Sequence, residues 1–292
     1  MSAATPGAAS LKSIYNALMS DRDFRRLSSF ISDRCGIKLP PAKKTMLEGR
    51  LRKRLRALGL TDFSQYCDYV FSRDETDPEH VHMIDAITTN KTDFLREPQH
   101  FDYLLQKIIP RLLEVQGLGL KTRLNIWSAA CSTGEEPYTL AMCLMEFVRK
   151  VAPIDFQILA TDISSRVLDT ARRAIYDHEK VDPLPLNWRQ KYLLRSKDRE
   201  KGLVRIVPEL RNLVKFQHLN LLADDFGLQE PQAVIFCRNV LIYFYEPTQL
   251  TVLTRLCQQL IRGGYFFVGH SETLHGLDLP LVQEAPTIYR KI

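Results

Sequence analysis

The pattern of apolar residues changes once along the chain, from helical spacing to short runs typical of strands. In the first part, apolar residues recur three or four positions apart, as Leu47, Leu51 and Leu55 do within a helix predicted over 42–58. From Leu124 onward, apolar runs alternate with helical segments, which is the pattern of a parallel α/β sheet. The chain therefore predicts a helical domain followed by an α/β domain.

The boundaries follow from composition and from helix start and stop signals. The first residues are mostly Ala, Ser, Gly and Pro and predict a flexible tail. Between 175 and 211 the α/β alternation breaks, and prolines and a charged stretch predict an inserted β-subdomain with a short hairpin. The predicted organisation is tail 1–19, helical domain 20–90, linker and connecting helix 91–122, and α/β domain 123–292 with the insertion 175–211.

The most informative stretch is 126–138, Ile-Trp-Ser-Ala-Ala-Cys-Ser-Thr-Gly-Glu-Glu-Pro-Tyr. A buried strand runs through a small-residue turn into a helix, an arrangement that presents free N–H groups to a ligand. Glu135 and Glu136 stand where a pyrophosphate-binding loop has its third glycine. Because two carboxylates repel phosphate, the predicted ligand is cationic, or a nucleoside without phosphates.

Two later strands bring further polar residues to the same edge of the sheet. The strand 155–162 ends at Asp162, and an acid at this position in nucleoside-binding sheets accepts hydrogen bonds from ribose hydroxyls. A helix N-cap is the alternative role for Asp162. A buried strand predicted over 233–243 delivers Arg238, Asn239 and Tyr243 to this edge.

Composition narrows the class of protein. Of the 292 residues, 45% are hydrophobic and 25% charged, which is ordinary for a chain that buries a core. No apolar run reaches the length of a membrane span. The six cysteines are scattered without metal-ligand spacing, which indicates reduced thiols in a cytoplasmic protein. The net charge of +6 suggests an acidic partner.

The helix over 42–58 carries much of this positive charge. Lys43, Arg50 and Arg54 follow one flank, with Lys53 beside them. Only Glu48 is acidic in this stretch, so pairs within the helix cannot neutralise its cations. The helix is either a solvated face or a docking surface for an acidic helix or nucleic acid.

Several chemistries lack their motifs. The sequence has no G-x-S-x-G elbow, Walker loop, H-E-x-x-H or complete G-x-G-x-x-G. His270, Ser271 and Glu272 are adjacent and cannot form a catalytic triad, so they predict a turn beneath the site.

Four ordered motifs together closely resemble the CheR family of chemotaxis receptor methyltransferases, from about residue 20 to the carboxyl terminus. They are Thr-Thr-Asn-Lys-Thr-Asp-Phe-Leu-Arg at 88–96, Ser-Ala-Ala-Cys-Ser-Thr-Gly-Glu-Glu-Pro-Tyr at 128–138, Phe-Cys-Arg-Asn-Val-Leu-Ile-Tyr-Phe at 236–244, and Gly-His-Ser-Glu at 269–272. The resemblance implies a Rossmann-like class I methyltransferase sheet of seven strands, the last antiparallel, with an N-terminal helical domain and a small inserted β-subdomain.

The implied activity is S-adenosyl-L-methionine-dependent methylation of glutamate γ-carboxylates on the cytoplasmic helices of chemoreceptors, with S-adenosyl-L-homocysteine as product and no metal. Direct in-line transfer needs no general base, because a carboxylate is already a nucleophile. The resemblance implies catalytic roles for Arg96 and Tyr243, with Tyr243 near the sulfur. It implies cofactor contacts for Asn90, Thr92, Arg96, Glu135 or Glu136, Asp162, Asn220, Leu221, Arg238 and Asn239.

The implied partner is the cytoplasmic helical bundle of a chemoreceptor, not nucleic acid and not the membrane itself. Lys43, Arg50, Lys53 and Arg54 then become candidate receptor contacts. Some family members also bind a receptor's carboxyl-terminal pentapeptide at the inserted β-subdomain, but loop 196–201 lacks the internal glycines of that type, which leaves the tether open. Two other hypotheses are a methyltransferase acting on RNA or a small molecule, and a catalytically silent cofactor-binding adaptor.

Overall fold

The computed structural model of the protein describes Ile14, residues 17–74 and residues 76–292, except for the side chain of Arg199. Of the predicted tail over 1–19, residues 1–13, 15 and 16 lie outside the described residues. The chain forms two compact units. One runs up to Thr89 and includes Tyr243–Tyr245, and the other comprises Asn90–Ile242 and Glu246–Ile292.

The first unit is helical, as its hydrophobic spacing predicts. Its helices are α1 (Asp21–Cys35), α2 (Lys44–Leu58, preceded by a 3-10 turn Pro41–Lys43), α3 (Phe63–Phe71) and α4 (Pro78–Ile87). The N-cap of α1 is Ser20, whose hydroxyl accepts the Asp23 N–H at 3.0 Å. Gly36 ends α1 in the left-handed conformation, with φ 72°. Leu47, Leu51 and Leu55 of α2 are fully buried.

A short segment distant in sequence completes the helical unit. Phe244 forms an isolated antiparallel bridge with Ile37, and the carbonyl of Tyr243 accepts the Lys38 N–H at 2.8 Å. Tyr243 itself ends a 3-10 turn, Leu241–Tyr243.

The second unit is an α/β sheet with an insertion. Before the sheet come α5 (Pro98–Tyr103), a π-helical turn (Leu104–Ile108) and α6 (Ile109–Gln116). The elements that follow are β1 (Leu124–Ala129), α7 (Glu135–Lys150), β2 (Phe156–Asp162), α8 (Ser165–Arg173), β3 (Ile175–Asp177), α9 (Leu186–Tyr192), β4 (Leu193–Arg195), β5 (Leu203–Ile206), α10 (Pro208–Arg211), β6 (Val214–His218), β7 (Gln232–Phe236), α11 (Glu246–Gln259), β8 (Leu260–Phe267), β9 (Leu281–Ala285) and β10 (Ile288–Lys291).

The main sheet has seven strands in the order β6-β2-β1-β7-β8-β10-β9. The pairs between β6, β2, β1, β7 and β8 are parallel, and β10 runs antiparallel to both of its neighbours. The predicted fold class is therefore confirmed, including the antiparallel last strand. Because β1, β2 and β7 are parallel neighbours, their carboxyl ends meet at one edge, where the candidate site residues lie.

Three elements differ from their predicted form. The strand predicted over 233–243 ends at Phe236, because the backbone turns at Asn239, where φ is +57°. The connecting helix predicted within 91–122 is α5, the π-helical turn and α6 in succession. Pro110 accounts for this break, since proline has no N–H for the helical ladder. Strand β9 went unpredicted because Val282, Gln283 and Glu284 follow Leu281 without a clear alternation.

The predicted insertion is a separate three-stranded sheet in the order β3-β5-β4, with all pairs antiparallel. Strands β4 and β5 form the predicted hairpin. Among the described residues, no helix combines the length and the apolar character that crossing a membrane requires.

Candidate functional site

The loop after β1 is shaped by left-handed backbone conformations. Ala130, Ser132 and Gly134 have φ values of 61°, 51° and 97°. A side chain at Gly134 would place its Cβ 2.9 Å from the Cβ of Ala171, which excludes any larger residue there. This close approach lets the loop pass directly into helix α7, whose first residues are Glu135 and Glu136.

Asp162, at the end of β2, anchors this loop. Its two carboxylate oxygens accept N–H groups from Ser132 and Ser164, both at 2.9 Å. Burial raises the pKa of Asp162, although these backbone N–H groups favour the charged form. The predicted ribose acid thus lies at the sheet edge and holds the loop that follows β1.

The two neighbouring acids of the loop point to different partners. Glu135 is fully buried, accepts the Thr133 hydroxyl at 2.6 Å and pairs with Lys180 of the insertion at 3.0 Å. Glu136 accepts the Ser128 hydroxyl at 2.7 Å and lies 3.3 Å from a guanidinium nitrogen of Arg238. Only Glu136 therefore shares a charge cluster with another predicted site residue.

Arg238 is a buried cation at the end of β7. Its side chain is 1% exposed, and it ion-pairs with Glu97 at 3.1 Å as well as with Glu136. Its guanidinium also lies over the rings of Phe101 and Phe236, at 5.5 and 5.9 Å from the centroids. Burial raises the pKa of Glu136 and the positive charge of Arg238 opposes that rise. Two acids thus share one buried cation.

The segment before α5 packs against the same edge. The carbonyl of Asn90 accepts the Ser132 hydroxyl at 3.0 Å, and the carbonyl of Arg96 accepts a guanidinium N–H of Arg238. The Arg96 side chain donates to the carbonyl of Lys91 at 3.0 Å. Thr92, between them, is half-exposed. Asn90 and Arg96 thus attach this segment to the loop after β1 and to Arg238.

Phe94 fixes this segment within the α/β unit. It is 1% exposed and its ring meets that of Tyr176 edge-on at 5.1 Å. The segment beginning at 91, which the sequence predicts as a linker, thus contributes to the core of this unit.

Asn239 is held by a buried acid from another loop. Glu272 accepts the backbone N–H groups of Gly269, Asn239 and Leu241 at 2.7, 2.8 and 2.9 Å. A Cβ at Gly269 would lie 2.2 Å from the Asn239 amide nitrogen, so only glycine fits at this position. The Gly-His-Ser-Glu motif thus fixes the turn that ends β7.

The fourth strand end of the site is that of β6. Leu219 donates its N–H to the carbonyl of Asp162 at 3.0 Å, which places Asn220 and Leu221 beside the end of β2. The Asn220 side chain accepts the Leu222 N–H at 3.0 Å, and Leu221 is buried.

Sequence reasoning missed several acids and bases of this edge because their partners are far apart along the chain. Glu97 occupies a left-handed position with φ 57° and binds Arg238 through space. His100 is buried beside it, and burial together with the charge of Arg238 lowers the pKa of His100 to about 4. The positive φ of Glu97 leaves no signature in the sequence. Its position directly after the predicted site residue Arg96 is the one sequence feature that points to Glu97 as part of the site.

The four predicted receptor contacts divide into two pairs within the helical unit. Lys43 and Lys53 are exposed. Arg54 instead makes a two-point ion pair with buried Glu79, at 2.9 and 2.5 Å. Arg50 donates to the Ile87 carbonyl and to the Thr89 hydroxyl. The cations of α2 are thus partly neutralised by groups outside the helix, which the count of acids within 42–58 did not foresee.

The insertion carries a cavity of about 440 Å³. Two arginines, Arg189 and Arg195, stand among its lining residues, and strand β4 forms one free edge of the small sheet. The remaining lining residues are His178, Leu186, Gln190, Leu193 and Val204.

Nearly the whole chain is similar in sequence to proteins of one known family. The SAM-binding domain of the CheR methyltransferases matches residues 90–287, and the all-alpha domain of the same family matches residues 22–88. The chemotaxis protein methyltransferase of Escherichia coli K12 is 40% identical over 271 residues, covering 93% of this chain and 91% of that protein. Its counterpart from Borreliella burgdorferi is 36% identical, with coverages of 94% and 96%. Chemotaxis protein methyltransferase 2 of Pseudomonas aeruginosa is 39% identical, with coverages of 86% and 86%.

Proposed function

The chain belongs to the CheR methyltransferases, and we propose that it methylates glutamate γ-carboxylates on the cytoplasmic helices of a chemoreceptor, with S-adenosyl-L-methionine as the methyl donor. The observation that carries the proposal is the convergence of Glu136, Asp162 and Arg238 at the carboxyl edge of the parallel strands. This edge of the sheet carries a negative charge on Glu136 and a positive charge on Arg238, and the carboxylate of Asp162 can accept hydrogen bonds from hydroxyl groups. Such a surface suits a zwitterionic amino acid joined to a ribose.

The cofactor-binding roles follow from charge. Arg96 binds the cofactor's carboxylate, since a guanidinium matches a carboxylate in two-point geometry. Glu136 faces the cofactor's amine, whereas Glu135 is occupied by Lys180 and Thr133. Asp162 accepts from the ribose through lone pairs that its two N–H partners leave open. Asn220 and Leu221 flank the adenine, and Asn90, Thr92 and Asn239 line the cleft.

The chemistry requires alignment more than proton transfer. The sulfonium of the bound donor supplies a methyl group that is already activated, and the substrate carboxylate is ionised at neutral pH. An oxygen–carbon bond forms as the carbon–sulfur bond breaks, and no proton moves. Holding the reacting groups in line can contribute about 7–11 kcal/mol through proximity and orientation. Arg96 and Tyr243 keep their proposed catalytic roles as orienting groups, with Tyr243 near the sulfur.

Two surfaces are proposed for the receptor. Exposed Lys43 and Lys53, together with the partly buried Arg50 and Arg54, attract acidic receptor helices and govern the rate of encounter more than the affinity. The cavity of the insertion, with Arg189 and Arg195, suits the terminal carboxylate of a receptor pentapeptide added at the free edge of β4. Such a substrate implies a cytoplasmic enzyme.

Methyl transfer from tritiated S-adenosyl-L-methionine to a purified receptor cytoplasmic fragment tests the reaction class. Label on the receptor that alkali releases as volatile methanol supports a glutamyl ester. Alkali-stable label, or label on RNA alone, favours the nucleic-acid or small-molecule enzyme. Cofactor binding without any transfer favours the silent adaptor.

A further inference from the structure

Three metal-ligand side chains converge on one point of the α/β unit and have no part in the proposed methyl transfer. His100 Nδ1 lies 3.4 Å and His270 Nε2 lies 3.9 Å from Glu97 Oε2. All three atoms lie within 4.8 Å of one another. The His100 side chain is 2% exposed, whereas His270 is 53% exposed and lines the open side.

Thr287 contacts His100 at Nε2. The Thr287 hydroxyl oxygen lies 2.7 Å from His100 Nε2 and 2.6 Å from the Pro286 carbonyl oxygen. In the tautomer that carries its N–H on Nε2, His100 donates to this hydroxyl and Nδ1 presents a lone pair.

That lone pair faces a second acceptor. The atom opposite His100 Nδ1 is a carboxylate oxygen of Glu97, and among the described residues His100 Nδ1 makes no hydrogen bond at all. Glu97 Oε2 makes an ion pair with Arg238 at 3.1 Å but no hydrogen bond of good geometry within the same residues. In that tautomer the buried Nδ1 lone pair of His100 has no donor opposite it, which is costly unless a cation lies between it and Glu97.

We propose that Glu97, His100 and His270 bind a divalent transition-metal ion of the zinc type. Two imidazoles and one carboxylate are a ligand set that zinc accepts. Zinc–ligand bonds of about 2.0–2.1 Å require ligand atoms roughly 3.4 Å apart, so closing the site takes only a small movement of exposed His270.

The surroundings of these ligands support the assignment. The Thr287 hydroxyl, 2.7 Å from His100 Nε2, can accept from this nitrogen in the tautomer that leaves Nδ1 free to coordinate. The other oxygen of Glu97 accepts the His270 N–H at 3.2 Å and the Asn239 amide at 3.4 Å, which orients the carboxylate. At metal sites, hydrogen bonds of this kind orient the side chains that coordinate the ion. Arg238 repels a cation, so we expect moderate rather than tight affinity.

The test uses the untagged full chain, freed of metal by chelator dialysis and titrated with Zn²⁺ in competition with a chromophoric chelator. We expect one bound equivalent. His270→Ala should weaken Zn²⁺ binding at least about 10-fold without unfolding, because this side chain is exposed. His275→Ala is the matched control, since His275 is also exposed, and it should bind Zn²⁺ like the parent chain.

Co²⁺ provides a second readout that does not depend on enzyme activity. We expect visible d–d absorption of a low-coordinate site with nitrogen and oxygen ligands, lost in His270→Ala. Failure to bind Zn²⁺ stoichiometrically, equal affinity in His270→Ala and the parent, or thiolate charge-transfer bands that indicate cysteine ligation would each overturn the proposal.

Discussion

Glu136 and Arg238 face each other across the ends of β1 and β7, with a carboxylate oxygen 3.3 Å from a guanidinium nitrogen. Glu135, one residue earlier, has no such relation to Arg238, since its carboxylate is fully buried against Lys180 and Thr133. Two consecutive helical residues, about 100° apart around the helix axis, thus differ in role: one acid lies at the candidate cofactor site and the other joins the loop to the insertion.

This difference predicts that replacing each glutamate by glutamine has a different effect. Glu136→Gln removes the charge proposed to face the cofactor's amine. A hydrogen bond to a charged group contributes about 1.5–3 kcal/mol, so S-adenosyl-L-homocysteine should bind roughly 10- to 100-fold more weakly. Glu135→Gln should lower the melting temperature and change affinity less. Calorimetric titration of both variants measures this, and equal losses of affinity would show that the two acids act together.

Asp162→Ala should weaken binding of the same ligand by about 10-fold or more, because it removes the proposed ribose acceptor and the anchor of Ser132. Asp155→Ala is the control, since Asp155 lies before β2 and its carboxylate pairs with exposed Arg123. The N-cap of α8 is Ser164, so unchanged affinity in Asp162→Ala, measured by calorimetry on a folded sample, would leave Asp162 only the role of holding the backbone N–H groups of Ser132 and Ser164.

How much of this site could be predicted depends on the sequence distance between partners. The turn 130–136 and Asp162 were predictable, because strand, turn and helix signals are local. The short length of β7 was not, because it depends on Glu272, which accepts N–H groups from residues more than 30 positions away. Lys180 and Glu97 were missed for the same reason.

The charge of α2 shows the same limit. Counting acids within 42–58 suggested unpaired cations, yet Arg54 binds Glu79 of α4, which also accepts the Tyr66 hydroxyl at 2.9 Å. Spacing along one helix cannot reveal an acid on another helix. The exposure of Lys43 and Lys53 agrees with the simple expectation for a basic helix face.

Arg54→Met should therefore act on stability. It leaves the buried Glu79 carboxylate without its cation and should cost about 1.5–3 kcal/mol of unfolding free energy. Lys53→Met, at an exposed position on the same helix, should change it by less than about 0.5 kcal/mol. Urea unfolding followed by circular dichroism measures the free energy of unfolding of both variants. An unchanged value in Arg54→Met would show that the ion pair with Glu79 does not stabilise the fold and would favour a receptor-binding role for Arg54.

The docking proposal predicts a salt-dependent defect. The double variant Lys43→Glu/Lys53→Glu should slow methylation of a receptor fragment at low ionic strength, and added salt should shrink the difference, since exposed charges are screened. The double variant Lys107→Glu/Lys121→Glu carries an equivalent charge reversal at exposed sites of the α/β unit. Initial rates should fall in Lys43→Glu/Lys53→Glu alone, with cofactor affinity unchanged. An equal fall in the control variant would show that only the net charge of the protein matters.

The most direct measurement is tandem mass spectrometry of a receptor cytoplasmic fragment after incubation with S-adenosyl-L-methionine that carries a deuterated methyl group. We expect the label on glutamate side chains of the receptor helices, and its loss in Arg96→Ala, which removes the guanidinium proposed to bind and orient the donor. Label confined to lysine or arginine, or undiminished labelling by Arg96→Ala, would contradict carboxyl methylation by this site.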